Sequence, residues 1–490
     1  MSTRRILLPG LCFVVMTLAV LQTMVVPIVG TIGTQLGVGT TAAGWVLTAN
    51  LLAAVIATPI IGRLADLHGK RPVLVGVLTV VLAGSLLAAM TDSLVWLLAG
   101  RVLQGVSYAL FPIALAVLRD EMPPAKLVGS MAILSGTLGV GGGFGLVLTG
   151  LLTSNGADYH RVFWLTVAIV VVALAIAWFG VPARPRTAGG SVDWWGAVLL
   201  AGTLLLLFLA LTQGRTWGWG SVATIGCAIA GALLGTLWWV FENRTDEPLV
   251  APRMLTHGPL LATNVATLFV GIGMFVNFLA CSFFVQTPRA VAGYGFTANV
   301  LEASVVYLLP GAAVGVVSAV VSGRFIRSYG PRRVLVAGAM IGLIGFVFVA
   351  LAHDRAWQLI TAGIVINLFV SLAFAALPNL LMAEVSAADT GVANSVNSIV
   401  RTVGTSIASA TLSTVLAMFT IDGTTVAREI VYTAAFLTGA AACAVVALAA
   451  LAIKSTPPHP ESTVVADSDT TRFSRPTTGS ALSPVVRGTS

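Results

Sequence analysis

Between Ile6 and Val29 the chain reads ILLPGLCFVVMTLAVLQTMVVPIV, twenty-four residues without a charge. A bilayer core about 30 Å thick is crossed by roughly 20 apolar residues in an α-helix. Inside it every backbone N–H and C=O needs an internal partner, which leaves helices and closed barrels. Barrel strands alternate apolar and polar residues. This run does not alternate, and similar runs recur along the chain to about residue 454. The chain therefore has to fold as a bundle of membrane helices. Composition decides the one alternative, a soluble helical protein. Charged residues are only 9%, against roughly 25% in soluble domains, too few to cover a surface facing water. Arg4-Arg5 before an apolar run has the order of a signal peptide, but the run exceeds an h-region of roughly 7–15 residues and is read as the first span.

The apolar runs place helices at about 6–30, 43–63, 72–91, 94–119, 125–152, 160–182, 193–213, 218–242, 258–287, 297–323, 331–352, 356–384, 388–419 and 429–454. Turn residues mark the breaks, among them Gly69, Pro123-Pro124, Asn155-Gly156, Gly189-Gly190, Gly330-Pro331 and Asp422-Gly423. Lys and Arg favour the cytoplasmic side. With the N-terminus inside, sixteen of them fall in inner loops or helix ends and five in outer ones. The loop after about Met382 has no basic residue. The bias supports fourteen transmembrane helices with both termini cytoplasmic, a multi-pass protein of the plasma (inner) membrane. Residues 455–490 are rich in Ser, Thr and Pro and read as a disordered cytoplasmic tail.

The net charge of +8 does not mark a nucleic-acid binder, because the basic residues are spread through short loops. Cys12, Cys227, Cys281 and Cys443 lie inside apolar runs and read as packed small residues rather than disulfides. No His, Cys and carboxylate cluster has metal-ligand spacing, and no cofactor is implied. The expected partners are a small-molecule substrate, protons and the lipid bilayer, with the chain a monomer. Catalytic His or carboxylate groups in the spans would mark an enzyme; none is seen.

The loop after the second helix reads Gly62-Arg63-Leu64-Ala65-Asp66-Leu67-His68-Gly69-Lys70-Arg71-Pro72. Asp66 can accept from a helix N-terminus or pair with a base, and Gly69 permits a sharp turn. A degenerate copy follows the tenth helix from Gly323 to Arg333, with Arg327 where the first has Asp66, 261 positions on. Two copies indicate an internal duplication, as in many transporters.

In the fourth helix Arg101, Gln104 and Tyr108 share a face at i, i+3, i+7. An arginine inside a span costs about 2.5–3.5 kcal/mol on the insertion scale, so it faces a cavity or a partner. Asn394, Asn397 and Arg401 form a similar stripe in the thirteenth. In the fifth helix Ser135, Gly139 and Gly143 form one row of small residues, and Gly141, Gly145 and Thr149 another; such rows let helices approach closely. Gln22, Asn50, Asn277, Tyr307, Asn367 and Asn379 are further cavity candidates, each open to the plainer reading of an interhelical hydrogen bond. Glu302 is the carboxylate placed inside a span, near its outer end.

The Gly62–Pro72 run closely resembles the cytoplasmic loop shared by the major facilitator superfamily. The resemblance implies an all-α integral membrane fold of two six-helix bundles, residues 1–183 and 258–454, with helices seven and eight (184–257) as a peripheral insert. It implies a latch of Gly62, Asp66, Gly69, Lys70 and Arg71 that holds the bundles outward-facing. R-x-x-Q-G at Arg101–Gly105 is similar to the segment in which the superfamily carries an arginine implicated in proton coupling. With it go Gln104 and, as the remaining protonatable group, Glu302. The glycines of the fifth helix resemble the antiporter motif of drug exporters, with Leu146 and Thr149 at departures from it. Leu21 stands where the exporter pattern has an acid, so that proton carrier is absent. Asp193-Trp194-Trp195-Gly196 and Glu247-Pro248-Leu249 resemble the fourteen-span drug:proton antiporter branch. The implied function is proton-coupled efflux of amphipathic compounds by alternating access. The alternative is an uptake carrier or uniporter of the same fold.

Overall fold

The computed structural model describes residues 2–153, 158–183, 193–245, 248–250, 255–385, 390–422, 424 and 426–453. The expected tail at 455–490, the inner-loop residues Arg184, Arg186, Arg253 and Lys454, and Glu247 and Asp389 lie outside them, as do the turn residues Asn155, Gly156, Gly189, Gly190 and Gly423.

We number the long helices in chain order: α1 (Ser2–Thr23, extended by Val29–Gln35), α2 (Thr40–His68), α3 (Lys70–Ala89), α4 (Leu94–Glu121), α5 (Pro124–Leu152), α6 (His160–Gly180) and α7 (Trp194–Trp217). There follow α8 (Val222–Glu242), α9 (Gly258–Gln286), α10 (Leu309–Tyr329), α11 (Pro331–Leu351), α12 (Ala356–Ala383), α13 (Thr390–Met418) and α14 (Glu429–Ala452). Among the described residues thirteen helices are long and apolar enough to cross a membrane. Three irregular stretches interrupt the described helices: 3₁₀ turns at Val26–Ile28 inside α1 and Val106–Ala109 inside α4, and a π turn at Ala303–Leu308 leading into α10.

The second helix runs further than the apolar pattern predicts. Gly62 to His68 is helical, and the break is Gly69 alone, at φ 95°. A side chain is strained there and glycine is not. Gly330 makes the equivalent break at φ 82°. Pro124, Pro259 and Pro331 stand in the first helical turns, where a missing N–H is harmless. Asp193 caps α7 by accepting from the Gly196 N–H at 2.9 Å, and Ser221 caps α8 through Thr224 N–H at 3.2 Å.

The packing repeats with a shift of eight helices. α1 packs on α5 and α6, and α9 on α13 and α14; α3 packs on α4 and α6, and α11 on α12 and α14; α2 meets α4, and α10 meets α12. Two buried apolar clusters lie within the first six helices and one large cluster within the last six. Between these sets, α2 packs on α13 and α5 on α10, and α5 on α12 and α13 on α4. The shift of eight exchanges the members of each pair, which gives the interface a two-fold character. α7 packs against both α2 and α13 and so lies along their seam. Phe208 there is buried with Leu52, Val55 and Ile399. In α8 the residues Val222, Ile229 and Leu233 are exposed.

Candidate functional site

A cavity of about 1040 Å³ opens between the two sets of helices, the upper range for enclosing a drug-sized molecule. Its walls come from the halves of α1, α2, α5, α9 and α13 remote from Asp66. Near Asp66 the helices close. A Cβ at Gly62 of α2 would lie 3.1 Å from Gly391 O. One at Gly323 of α10 would lie 2.6 Å from Gly129 Cα of α5. Both crossings depend on glycine, because any side chain would hold the backbones apart.

Asp66 is fully buried at the α2–α13 crossing. Its carboxylate meets the Val392 N–H at the start of α13, with Lys70 and Arg63 as charged neighbours; a Cβ at Gly391 would stand 2.7 Å from its Oδ1. Backbone N–H groups at a helix start carry positive partial charge and attract an anion. Lys70 pairs with Asp120 of α4. Arg71 donates to Trp178 O at 2.5 Å at the end of α6. Its counterpart Arg332 donates to Ala450 O at 3.1 Å and Leu451 O at 2.6 Å at the end of α14. Of the predicted latch residues, then, Gly62 and Asp66 reach α13, whereas Lys70 and Arg71 tie helices of their own set. Arg119, not singled out from the sequence, also crosses, donating to Thr390 Oγ1 and, at 3.2 Å, to Val385 O.

Arg101 is 1% exposed yet borders the cavity. Its Nε donates to Val46 O at 3.0 Å and its Nη1 to Gln104 Oε1 at 2.6 Å. Gln104 Nε2 donates on to Ser85 Oγ at 2.9 Å, and Asn50 Nδ2 donates to Arg101 O at 3.0 Å. The network joins α2, α3 and α4. Arg401 of α13 donates to Ser398 Oγ at 3.1 Å and stands 5.2 Å from the ring centres of both Phe111 and Phe374. Phe111 belongs to α4 and Phe374 to α12, so this guanidinium is held by an aromatic ring from each set of helices. Cation–π contact of this kind contributes about 0.5–2 kcal/mol per ring. Tyr108 is buried and also lines the cavity.

Gln22, Asn277 and Asn367 line the cavity as well. Four of the predicted residues, Asn397, Tyr307, Glu302 and Asn379, stand apart from it. Asn397 is buried between helices, donating to Thr267 Oγ1 at 2.7 Å and Asn264 Oδ1 at 3.2 Å. Tyr307 packs on Phe296 at 5.6 Å between ring centres. Glu302 is exposed ahead of the π turn. Asn379 Nδ2 turns back to donate to Ala375 O at 2.7 Å, within its own helix. The glycine rows of α5 also divide. Gly141 and Gly145 take α1, since Cβ atoms there would lie 2.8 Å from Met16 O and 3.0 Å from Val20 O. Thr149 Oγ1 adds a 3.0 Å bond to Met24 O. Gly143 meets Ala312 of α10, whereas Gly139 has nothing within 4 Å and forms open cavity wall.

Sequence reading missed two parts of the wall. α7 contributes Thr212, Gln213, Arg215 and Thr216, with Gln213 Nε2 3.4 Å from Thr48 Oγ1 of α2. α13 contributes a hydroxyl stripe from Thr402 to Ser413, which small-residue composition alone does not distinguish from packing.

The family description "Major Facilitator Superfamily" matches residues 11–193 and 189–409. The tetracenomycin C resistance and export protein of Streptomyces glaucescens is 30% identical over 300 residues, 61% of this chain and 54% of that protein, so the chain spans about half that relative's length. Multidrug resistance protein 3 of Bacillus subtilis is 26% identical over 410 residues, covering 82% and 77%. The crystal structure of the human organic anion transporter MFSD10 (TETRAN) superposes with a TM-score of 0.63 at 14% identity over 93% of this chain and 100% of that one, a likeness of fold alone. Family match, helix packing and the central cavity agree: the chain is a membrane transporter of the major facilitator superfamily, not an enzyme.

Proposed function

We propose that this transporter exports amphipathic organic compounds across the plasma membrane by alternating access, driven by proton influx. In this reading it has fourteen spans with both termini cytoplasmic, bundles at 1–183 and 258–454, and a two-helix insert at 184–257. The latch end faces the cytoplasm, and the described state is outward-facing. The observation that carries the proposal is a cavity between the two sets of helices, walled by their halves remote from Asp66, with the helices closed at the other end by Asp66 and two glycine crossings. The similarity to the tetracenomycin C resistance and export protein supports the direction. Arg101 and Gln104 take the coupling role through their link to Ser85 and α2.

A second reading, transport without protons, is favoured by one observation. No carboxylate is among the described cavity-lining residues. Proteoliposomes holding a pH-sensitive dye separate the two. Substrate-triggered proton movement that Arg101→Gln abolishes supports antiport. Substrate flux down its own gradient with no proton movement overturns the coupling and leaves the uniporter.

A further inference from the structure

The charges on the cavity wall are one-sided. It holds Arg101, Arg215 and Arg401, and no Asp, Glu, Lys or His among the described lining residues. Neither Arg101, which is buried, nor Arg401, which is half-buried, is in an ion pair with a carboxylate among the described residues. Their partners are neutral: a backbone carbonyl, Gln104, Ser398 and two phenyl rings. Two guanidinium groups on one cavity wall, partnered among the described residues by dipoles and ring faces, leave an excess of positive potential there. A cationic substrate would meet that potential unshielded.

Resting on the transport reading, we propose that the cavity is a binding site for amphipathic organic anions, with an acidic head, a carboxylate or an ionised phenol, held by Arg101 and Arg401. The head takes hydrogen bonds from the two guanidinium groups, whose planar donors suit an oxyanion, and from the hydroxyl of Tyr108, which lines the same cavity. The hydroxyls of Thr402, Thr405 and Ser406 continue the donor surface toward the mouth. The apolar body lies against Phe275, Phe278 and Met274 of α9. Arg215 is exposed where α7 borders the cavity, and there it raises the local concentration of anions. Arg401 gives the site a reason to respond to occupancy. It is gripped by Phe111 from one set of helices and Phe374 from the other, so an anion that draws it changes a contact spanning the moving interface.

The test uses the full-length protein in lipid nanodiscs and three dansyl probes of like size: dansylglycine (anion), dansylglycinamide (neutral) and dansylcadaverine (cation). Binding is read by fluorescence anisotropy, with empty nanodiscs subtracted. Wild type is expected to hold the anion at least about tenfold more tightly than the amide, the worth of one charge-assisted contact, and the cation most weakly. Arg101→Gln and Arg401→Gln are each expected to remove that preference, so that the anion binds no more tightly than the amide. Equal binding of anion and amide, preference for the cation, or no saturable anion binding up to millimolar concentration overturns the inference. The wild-type ranking needs no variant and stands even if a substitution prevents folding. An anion-selective site in a protein that moves no protons keeps this inference and refutes the coupling; proton-coupled export of cations does the reverse.

Discussion

At the scale of residues, Arg101 is fixed by directional bonds rather than by charge. Its Nε and Nη1 point to two different acceptors, a fork that an ammonium cannot reproduce. Arg101→Lys is therefore expected to abolish transport nearly as fully as Arg101→Gln, with both proteins still folded by circular dichroism; full transport by the lysine variant would refute the positioning argument. Arg101, Gln104 and Tyr108 were legible because polar residues in an apolar span stand out. Phe111 and Phe374 were not, since aromatic residues in a span carry no mark of what they touch. Asn397 reads as cavity-lining by spacing, but it faces Asn264 and Thr267 of α9; spacing gives the stripe, not the neighbour. A carboxyl pair also escaped notice. Asp193 Oδ2 and Glu242 Oε2 are buried close to each other, and both crowd the place where Gly196 lacks a side chain. Glu242 Oε1 accepts from Val250 N–H at 2.7 Å. Glu242→Gln keeps that acceptor and adds a donor toward Asp193, so thermal stability is expected to hold or rise. Glu242→Ala strands the buried N–H at about 1–3 kcal/mol and is expected to lower the unfolding temperature. The opposite ranking in a thermal scan would contradict this pairing.

At the scale of elements, helix existence followed from length and apolarity, and helix ends did not. α2 continues through Gly62–His68 because helical hydrogen bonding does not stop at the membrane surface, only at the positive φ of Gly69. The π turn at Ala303–Leu308 has no composition of its own. α5 shows how far a row of small residues can be read. Both rows were visible, but only geometry separates the one that packs on α1 from the one that borders the cavity. Gly145→Val is expected to lower the folded yield sharply, because its Cβ has backbone at 3.0 Å on one side and overpacking costs about 1–3 kcal/mol or more. Gly139→Ala meets nothing within 4 Å and is expected to fold normally. Equal yields from the two in a fluorescence size-exclusion assay would refute the division of roles.

At the scale of the molecule, the duplication was visible in the sequence as two motif copies, and the structure extends it. Arg71 and Arg332 bind the carbonyl ends of α6 and α14 in the same way, and the interhelical contacts repeat with a shift of eight. The position of α7 was not legible, because a span of lipid-compatible residues does not say which neighbours it chooses. The closed end rests on α2–α13 and α5–α10 crossings with no room for a side chain. Gly323→Leu is expected to shift the population toward a state open at the latch end, seen as faster alkylation of a cysteine introduced near that crossing; an unchanged rate would refute the gate.

Alternating access requires that the two sets of helices exchange the open end for the closed one. Spin labels at Lys126 and Ser328, both exposed at the latch end of α5 and α10, and a second pair at Thr34 and Arg289, exposed at the other end, allow distances to be measured by double electron–electron resonance in nanodiscs. In wild type the latch-end pair is expected to be short and the other long. Asp66→Asn, which removes the charge at the start of α13, is expected to lengthen the first and shorten the second together. Distances that stay fixed, or ends that open independently of one another, would contradict alternating access in this protein.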